Sequence, residues 1–169
     1  MHPYLLSLLF ALLPCPVFAA TNVRYNFVLN TRDADGAPRC AKNNGALRSH
    51  AAEYRIDPHK IGVPGFSAGG HLAADISRHF ERRLYPLVDP ADKVSCRQDF
   101  AVSLYPGHLW TSTQRFELNP DMPVSPQTPP TFLLHAQTDP VGNVNNSLAD
   151  YIALENVSVP VELHLYAEG

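Results

Sequence analysis

Apolar and polar positions along this chain fall into short blocks whose spacing switches between strand-like and helix-like. Residues 23–29 are rich in β-branched and aromatic side chains and predict a strand, followed over 30–38 by a turn-rich loop containing Asp35-Gly36. Residues 41–54 predict an amphipathic helix, with Leu47, Ala51 and Tyr54 at helical spacing. Pro58 ends it, because proline disfavours helix at the residue before it. A short apolar run over 60–64 predicts a strand, and 68–80 a helix. Residues 84–96 form a loop rich in proline and aspartate, and 100–105 predict the next strand, broken by Pro106-Gly107. The stretch 108–130 is long, polar and proline-studded, the composition of a cap or substrate loop. Residues 131–136 are almost continuously apolar, as in a strand buried on both faces. Asn145 or Asn146 caps a helix running to about residue 155, and 161–166 alternate strictly. There is no internal repeat.

This alternation predicts an α/β fold: a three-layer α/β/α sandwich around a mostly parallel sheet. Ligands of such sheets bind beyond the carboxyl ends of the strands. Ser67, the Tyr105-Pro106-Gly107-His108 segment and Asp139 all fall just after predicted strands.

The chemistry concentrates at Gly65-Phe66-Ser67-Ala68-Gly69, between a strand and a helix. This is the G-x-S-x-G pattern in the strand–turn–helix setting that lifts a serine hydroxyl above a sheet. Side chains at Gly65 and Gly69 are expected to collide with the neighbouring strand and helix. The same turn aims the Ala68 N–H at the place where an oxyanion would form.

Composition adds a compartment. The chain has 169 residues, enough for one domain. Residues 1–20 read as a signal peptide, with an apolar run over 5–13, Pro14 and Pro16, and small Ala19 and Ala20 for cleavage. They carry no Lys or Arg, and the run is too short to span a bilayer. An exported protein, periplasmic or secreted, with its domain over 21–169 is the expectation. Cys40 and Cys96 are expected as free thiols, although export would permit a disulfide. The net charge of -3 is spread without a basic block, which excludes nucleic acid or an anionic membrane as the evident partner. Asn145-Asn146-Ser147 and Asn156-Val157-Ser158 fit the glycosylation sequon, a pattern common by chance.

Several segments, in order, resemble one family: Ile56-Asp-Pro-His-Lys-Ile-Gly-Val63, Gly65-Phe-Ser-Ala-Gly-Gly-His-Leu-Ala73, Tyr105-Pro-Gly107, Pro129-Pro-Thr-Phe-Leu-Leu-His-Ala136 with Asp139-Pro140, and Val159-Pro-Val-Glu-Leu-His-Leu-Tyr166. They resemble the α/β-hydrolase esterases, in particular bacterial exported proteins related to acetyl-xylan and feruloyl esterases. The resemblance implies a carboxylic-ester hydrolase acting through an acyl-enzyme on a small-molecule or carbohydrate ester, without cofactor or metal. It makes Ser67 the nucleophile, Asp139 the acid that orients an imidazole, and the Ala68 amide an oxyanion donor. Tyr105, His108 and Trp110 are the candidates for the substrate pocket.

Two family features have no counterpart. The triad order is Ser-Asp-His, yet His164 is the sole histidine after Asp139, and it sits inside the alternating strand. His71, His108 and His135 precede Asp139, so no histidine matches the catalytic position. Nor does a glycine-rich oxyanion loop precede Ser67. The expectation is a copy of the domain incomplete at both ends, with little or no esterase activity. A non-catalytic carbohydrate-binding or structural remnant, with Tyr105, Trp110 and Phe116 against a sugar, is the alternative from another class. A serine peptidase-like hydrolase, sharing the G-x-S-x-G-G elbow, is the further one, although the chain has no room for the propeller that would accompany it.

Overall fold

The computed structural model describes residues 40–81, 87, 90–111 and 116–169. The leader over 1–20, the strand expected over 23–29 and the side chain of Cys40 lie outside them. The described elements are α1 (Cys40–Ser49), β1 (Gly62–Phe66), α2 (Ala68–Ile76), a 3-10 turn (Pro90–Lys93), β2 (Phe100–Leu104), β3 (Thr131–Ala136), α3 (Asn145–Asn156) and β4 (Val161–Tyr166). The four strands form one sheet in the order β1-β2-β3-β4, and every pair is parallel. The expected α/β class with a parallel sheet is what the chain adopts.

The sheet steps in one direction, so right-handed crossovers place α2 and α3 on the same face. Packing agrees. Val63 and Ala101, opposite each other in register, share a core with Leu72, Ala73 and Ile76 of α2. One step along, the Ser103 hydroxyl donates to the Gly70 carbonyl at 3.1 Å. Leu133 in β3 and Leu154 in α3 are fully buried, each worth about 1.5–3 kcal/mol on area grounds. At the amino edge of the sheet, Asp99 accepts from the Ile61 amide at 2.8 Å and pairs with Arg48 of α1 at 3.2 Å. That pairing ties α1 to the start of both β1 and β2.

Several boundaries differ from expectation. The first helix ends at Ser49, not 54; Ala51 is buried but Tyr54 is half exposed. Arg55 lies in the left-handed region (φ 54), and the Arg55 and Ile56 amides bond back to Ala52 and Ala51, a Schellman closure without glycine. α2 stops at Ile76 rather than 80, where the Ser77 hydroxyl donates back to the Ala73 carbonyl at 2.6 Å. The strand expected over 60–64 is shifted to Gly62–Phe66. Neither Asn145 nor Asn146 caps α3. Val144 holds that position, and Asn143 Oδ1 accepts from the Asn145 amide at 2.9 Å. Cys96 is a free, buried thiol that donates to the Phe80 carbonyl at 3.4 Å.

Candidate active site

Ser67 connects β1 to α2 at φ 53, ψ -122, a backbone conformation that L residues rarely hold. Its amide donates to the Leu104 carbonyl at the end of β2 (3.0 Å), and its carbonyl accepts from His71 (3.2 Å). The strained residue is thus fixed from both sides. Its side chain is exposed. Gly65 is required, since a Cβ there would lie 2.0 Å from the Gly69 carbonyl oxygen. The expectation for Gly69 is corrected, because a Cβ there meets nothing within 4 Å. The second close approach belongs to Gly70, whose Cβ would stand 3.0 Å from the Leu104 carbonyl and 3.2 Å from Ser103 Oγ. Helix α2 packs on β2 through Gly70, one residue later than the motif implies. Ala68 opens α2, so its N–H is one of the four helix amides without an intrahelical acceptor.

Tyr105 follows β2 with φ 36, half exposed, its ring 6.2 Å from that of Phe66. His108 has φ 57, and its ring meets that of His71 edge-on at 5.9 Å. Trp110 is half-buried and bridges Leu118 in antiparallel fashion. Phe116 is 49% exposed. The excursion after His108 is anchored to the elbow helix, since Leu109 and Met122 pack on Ala74. Its tether is buried Asn146 of α3, whose Oδ1 accepts from both the Leu109 (2.9 Å) and Trp110 (3.0 Å) amides. Sequence reading placed Asn146 at a helix cap. Nothing local in the sequence signals a contact across 36 residues.

Asp139 follows β3. Its Oδ1 accepts from the Val141 and Gly142 amides, both at 2.8 Å. Those amides, Gly142 first, hold its carboxyl below the ordinary aspartate value of 3.8, against a smaller opposing effect of burial. Oδ2 lies 3.6 Å from Nε2 of buried His135. Since β2 separates β1 from β3, the Ser67 and Asp139 loops stand about 10 Å apart at the carboxyl edge, two interstrand spacings. His164 is on the opposite sheet face from α2 and α3, its Nε2 2.5 Å from Glu162 and its ring 5.1 Å from that of Phe132.

A groove of about 490 Å³ runs along α2 between His71, Asp75 and His79 and the 119–123 segment. Its walls are bonded to each other: His79 Nε2 donates to the Asp121 carbonyl at 2.9 Å and lies 3.3 Å from Asp75. Among the described residues there is no cluster of three metal-ligating side chains.

The elbow segment falls within a match to the BD-FAE family that covers residues 17–106. The chain belongs to the BD-FAE family. The match includes Ser67 and stops before Asp139; its first residues, 17–20, overlap the expected leader. Curated relatives of this BD-FAE chain include endo-1,4-beta-xylanase B of Butyrivibrio fibrisolvens, 27% identical over 140 residues. Acetylxylan esterase of Xylanibacter ruminicola is 28% identical over 133 residues. Each alignment covers 73% of the chain but only 22% and 28% of the respective relative, so the chain spans about a quarter of their length. Among solved structures, the acetyl ester-xyloside bifunctional hydrolase of Caldicellulosiruptor lactoaceticus is 34% identical, with a TM-score of 0.69 over 85% of this chain and 60% of that one. MGS-M1, an α/β hydrolase from a deep-sea metagenome library, is 29% identical, with a TM-score of 0.58 over 76% and 47%. The fold of this BD-FAE member is accordingly a partial α/β-hydrolase fold, and its relatives are carbohydrate and carboxylic esterases.

Proposed function

We propose that this chain carries the nucleophile and the orienting acid of a serine carboxylic-ester hydrolase whose substrates are carbohydrate esters. The observation that carries the reading is Ser67, exposed and strained between β1 and α2 beside a helix amino terminus. Ser67 Oγ attacks the acyl carbonyl, and the Ala68 N–H donates to the developing oxyanion, helped by the positive end of the α2 dipole. The alcohol leaves, an acyl-enzyme remains, and water releases the acid. Asp139 Oδ2 is an acceptor open to the N–H of an imidazole base, including one added from solution. Tyr105, His108 and Trp110 border the acyl or alcohol site on the β2 side. The names of the xylan-degrading relatives support a carbohydrate ester as the substrate. Residues 1–20 act as the export leader and 21–169 as the hydrolase domain, which places the protein in the periplasm or outside the cell.

Among the described residues, no imidazole bonds to the Ser67 hydroxyl. His135 has both nitrogens engaged, and His164 lies on the other sheet face. With the described residues alone, proton transfer from Ser67 falls to solvent, and we expect slow ester hydrolysis. Loss of a triad histidine costs on the order of a million-fold in kcat. The test is p-nitrophenyl acetate hydrolysis by the 169-residue chain and by Ser67→Ala. We expect a slow rate that added imidazole raises and that Ser67→Ala abolishes. Fluorophosphonate labelling should localise to Ser67. Fast turnover that survives Ser67→Ala would refute the assignment. Binding of acetylated xylan without any labelling at Ser67 would favour the non-catalytic carbohydrate-binding alternative.

A further inference from the structure

His135 is completely buried in β3, and both ring nitrogens are committed. Nε2 lies 3.1 Å from the Gly142 carbonyl and Nδ1 2.8 Å from Ser147 Oγ. A carbonyl can only accept, so Nε2 carries the proton. The Nδ1 of the neutral ring then accepts the hydroxyl hydrogen of Ser147, itself fully buried in the first turn of α3. Gly142 is held twice. Its carbonyl accepts from His135, while its amide, with that of Val141, donates to Asp139 Oδ1. The fit is close, because a Cβ on Gly142 would stand 3.4 Å from Asp139 Oδ2 and 3.5 Å from His135 Nε2. At 3.6 Å, Oδ2 lies beyond a normal hydrogen bond to that nitrogen and is left as an open acceptor.

We propose that His135 is a positioning residue for Asp139: its Nε2–H, with the tautomer set by Ser147, fixes the 139–142 turn so that both amides gather on Oδ1 and Oδ2 stays open for a second imidazole. The proposal rests on the reading of Asp139 as the orienting acid. The charged group nearest His135 on its own side is Asp139; from α3, one turn past Ser147, comes Asp150, which is engaged by Arg78. Because the Gly142 and Val141 amides are the largest effects that depress the Asp139 carboxyl, with a smaller direct one from His135 that His135→Gln and His135→Leu remove alike, the turn geometry has a titration readout independent of turnover.

The experiment is NMR on the full chain, with ¹³C-labelled aspartate and ¹⁵N-labelled histidine. In the wild type, the neutral His135 ring should carry its proton on Nε2, and Asp139 should titrate below free aspartate. His135→Gln keeps an N–H donor near the Nε2 position and should keep Asp139 low. His135→Leu removes the donor, and Asp139 should rise toward the value of free aspartate. His135→Phe serves in its place should the leucine variant not fold. An Asp139 titration equally depressed in folded His135→Leu or His135→Phe overturns the proposal, as does a wild-type His135 protonated on Nδ1. The readout needs no catalysis, so failure of Ser67 to take the fluorophosphonate label sinks the functional reading and leaves this result standing.

Discussion

At the scale of single residues, the elbow separates glycines that share a motif but not a reason. Gly65 faces the backbone of Gly69 so closely that no rotamer of a new side chain relieves the clash. Gly69 points into open space, and Gly70 carries the contact with β2. Gly65→Ala should therefore cost more than about 3 kcal/mol or prevent folding, by forcing backbone apart at an already strained turn. Gly69→Ala should be neutral, or stabilise by up to about 1 kcal/mol, since alanine is the better helix former. Urea titrations of the two variants decide the matter, and equal losses would show that the elbow packs differently. The motif made Ser67 and Gly65 legible in the sequence. Gly70 was not, because its constraint comes from Leu104 and Ser103, more than 30 residues away in the chain.

At the scale of elements, the strands and helices that line the candidate site were legible because period and turn chemistry agree locally. β2, β3, α3 and β4 lie where the apolar pattern puts them, to within a residue or two. Helix ends were harder to place. Both Schellman closures use residues that give no signal, Arg55 after α1 and Ser158 after α3. At the second, the Ser158 and Val159 amides bond to Glu155 (2.8 Å) and Leu154 (3.0 Å), and buried Val159 meets buried Leu154, which offsets the left-handed serine. Ser158→Gly should remove that strain and raise stability by about 1 kcal/mol, measured as a higher urea midpoint at unchanged slope. A loss of stability would mean that the serine side chain contributes something the cap geometry does not show. The loop after β2 was legible as an excursion, but its attachment through Asn146 was not, because a side chain that bonds across two crossovers leaves no periodic trace.

At the scale of the whole molecule, the helix behind the nucleophile and the helix behind Asp139 are joined by one buried ion pair. Arg78, just past α2, pairs with Asp150 of α3, with side chains 2% and 0% exposed. Burial raises the Asp150 pKa, and Arg78 opposes that rise without cancelling it. Among the described residues, Arg78 Nε and Nη1 and Asp150 Oδ2 lack hydrogen-bond partners, so the pair is incompletely satisfied. Asp150→Asn should cost about 3–5 kcal/mol by stranding a buried guanidinium, whereas Arg78→Met with Asp150→Leu should be neutral or stabilising. Thermal melts of the single and double variants measure the coupling, and additive losses would show that the pair holds nothing together.

Pro64 gives β1 a further property. Ile61 accepts from Asp99, and Ser67 donates to Leu104, so the odd-numbered residues of β1 face β2. Pro64 therefore faces away, and its missing N–H costs the β1–β2 ladder nothing. Among the described residues β1 is the outermost strand, and on its far side Pro64 removes one donor from the middle of the five residues. A foreign strand laid there would leave a carbonyl unpaired at its centre, whatever its side chains. The strand that presents the serine is thus a poor template for a further strand along that side, whichever chain supplies it.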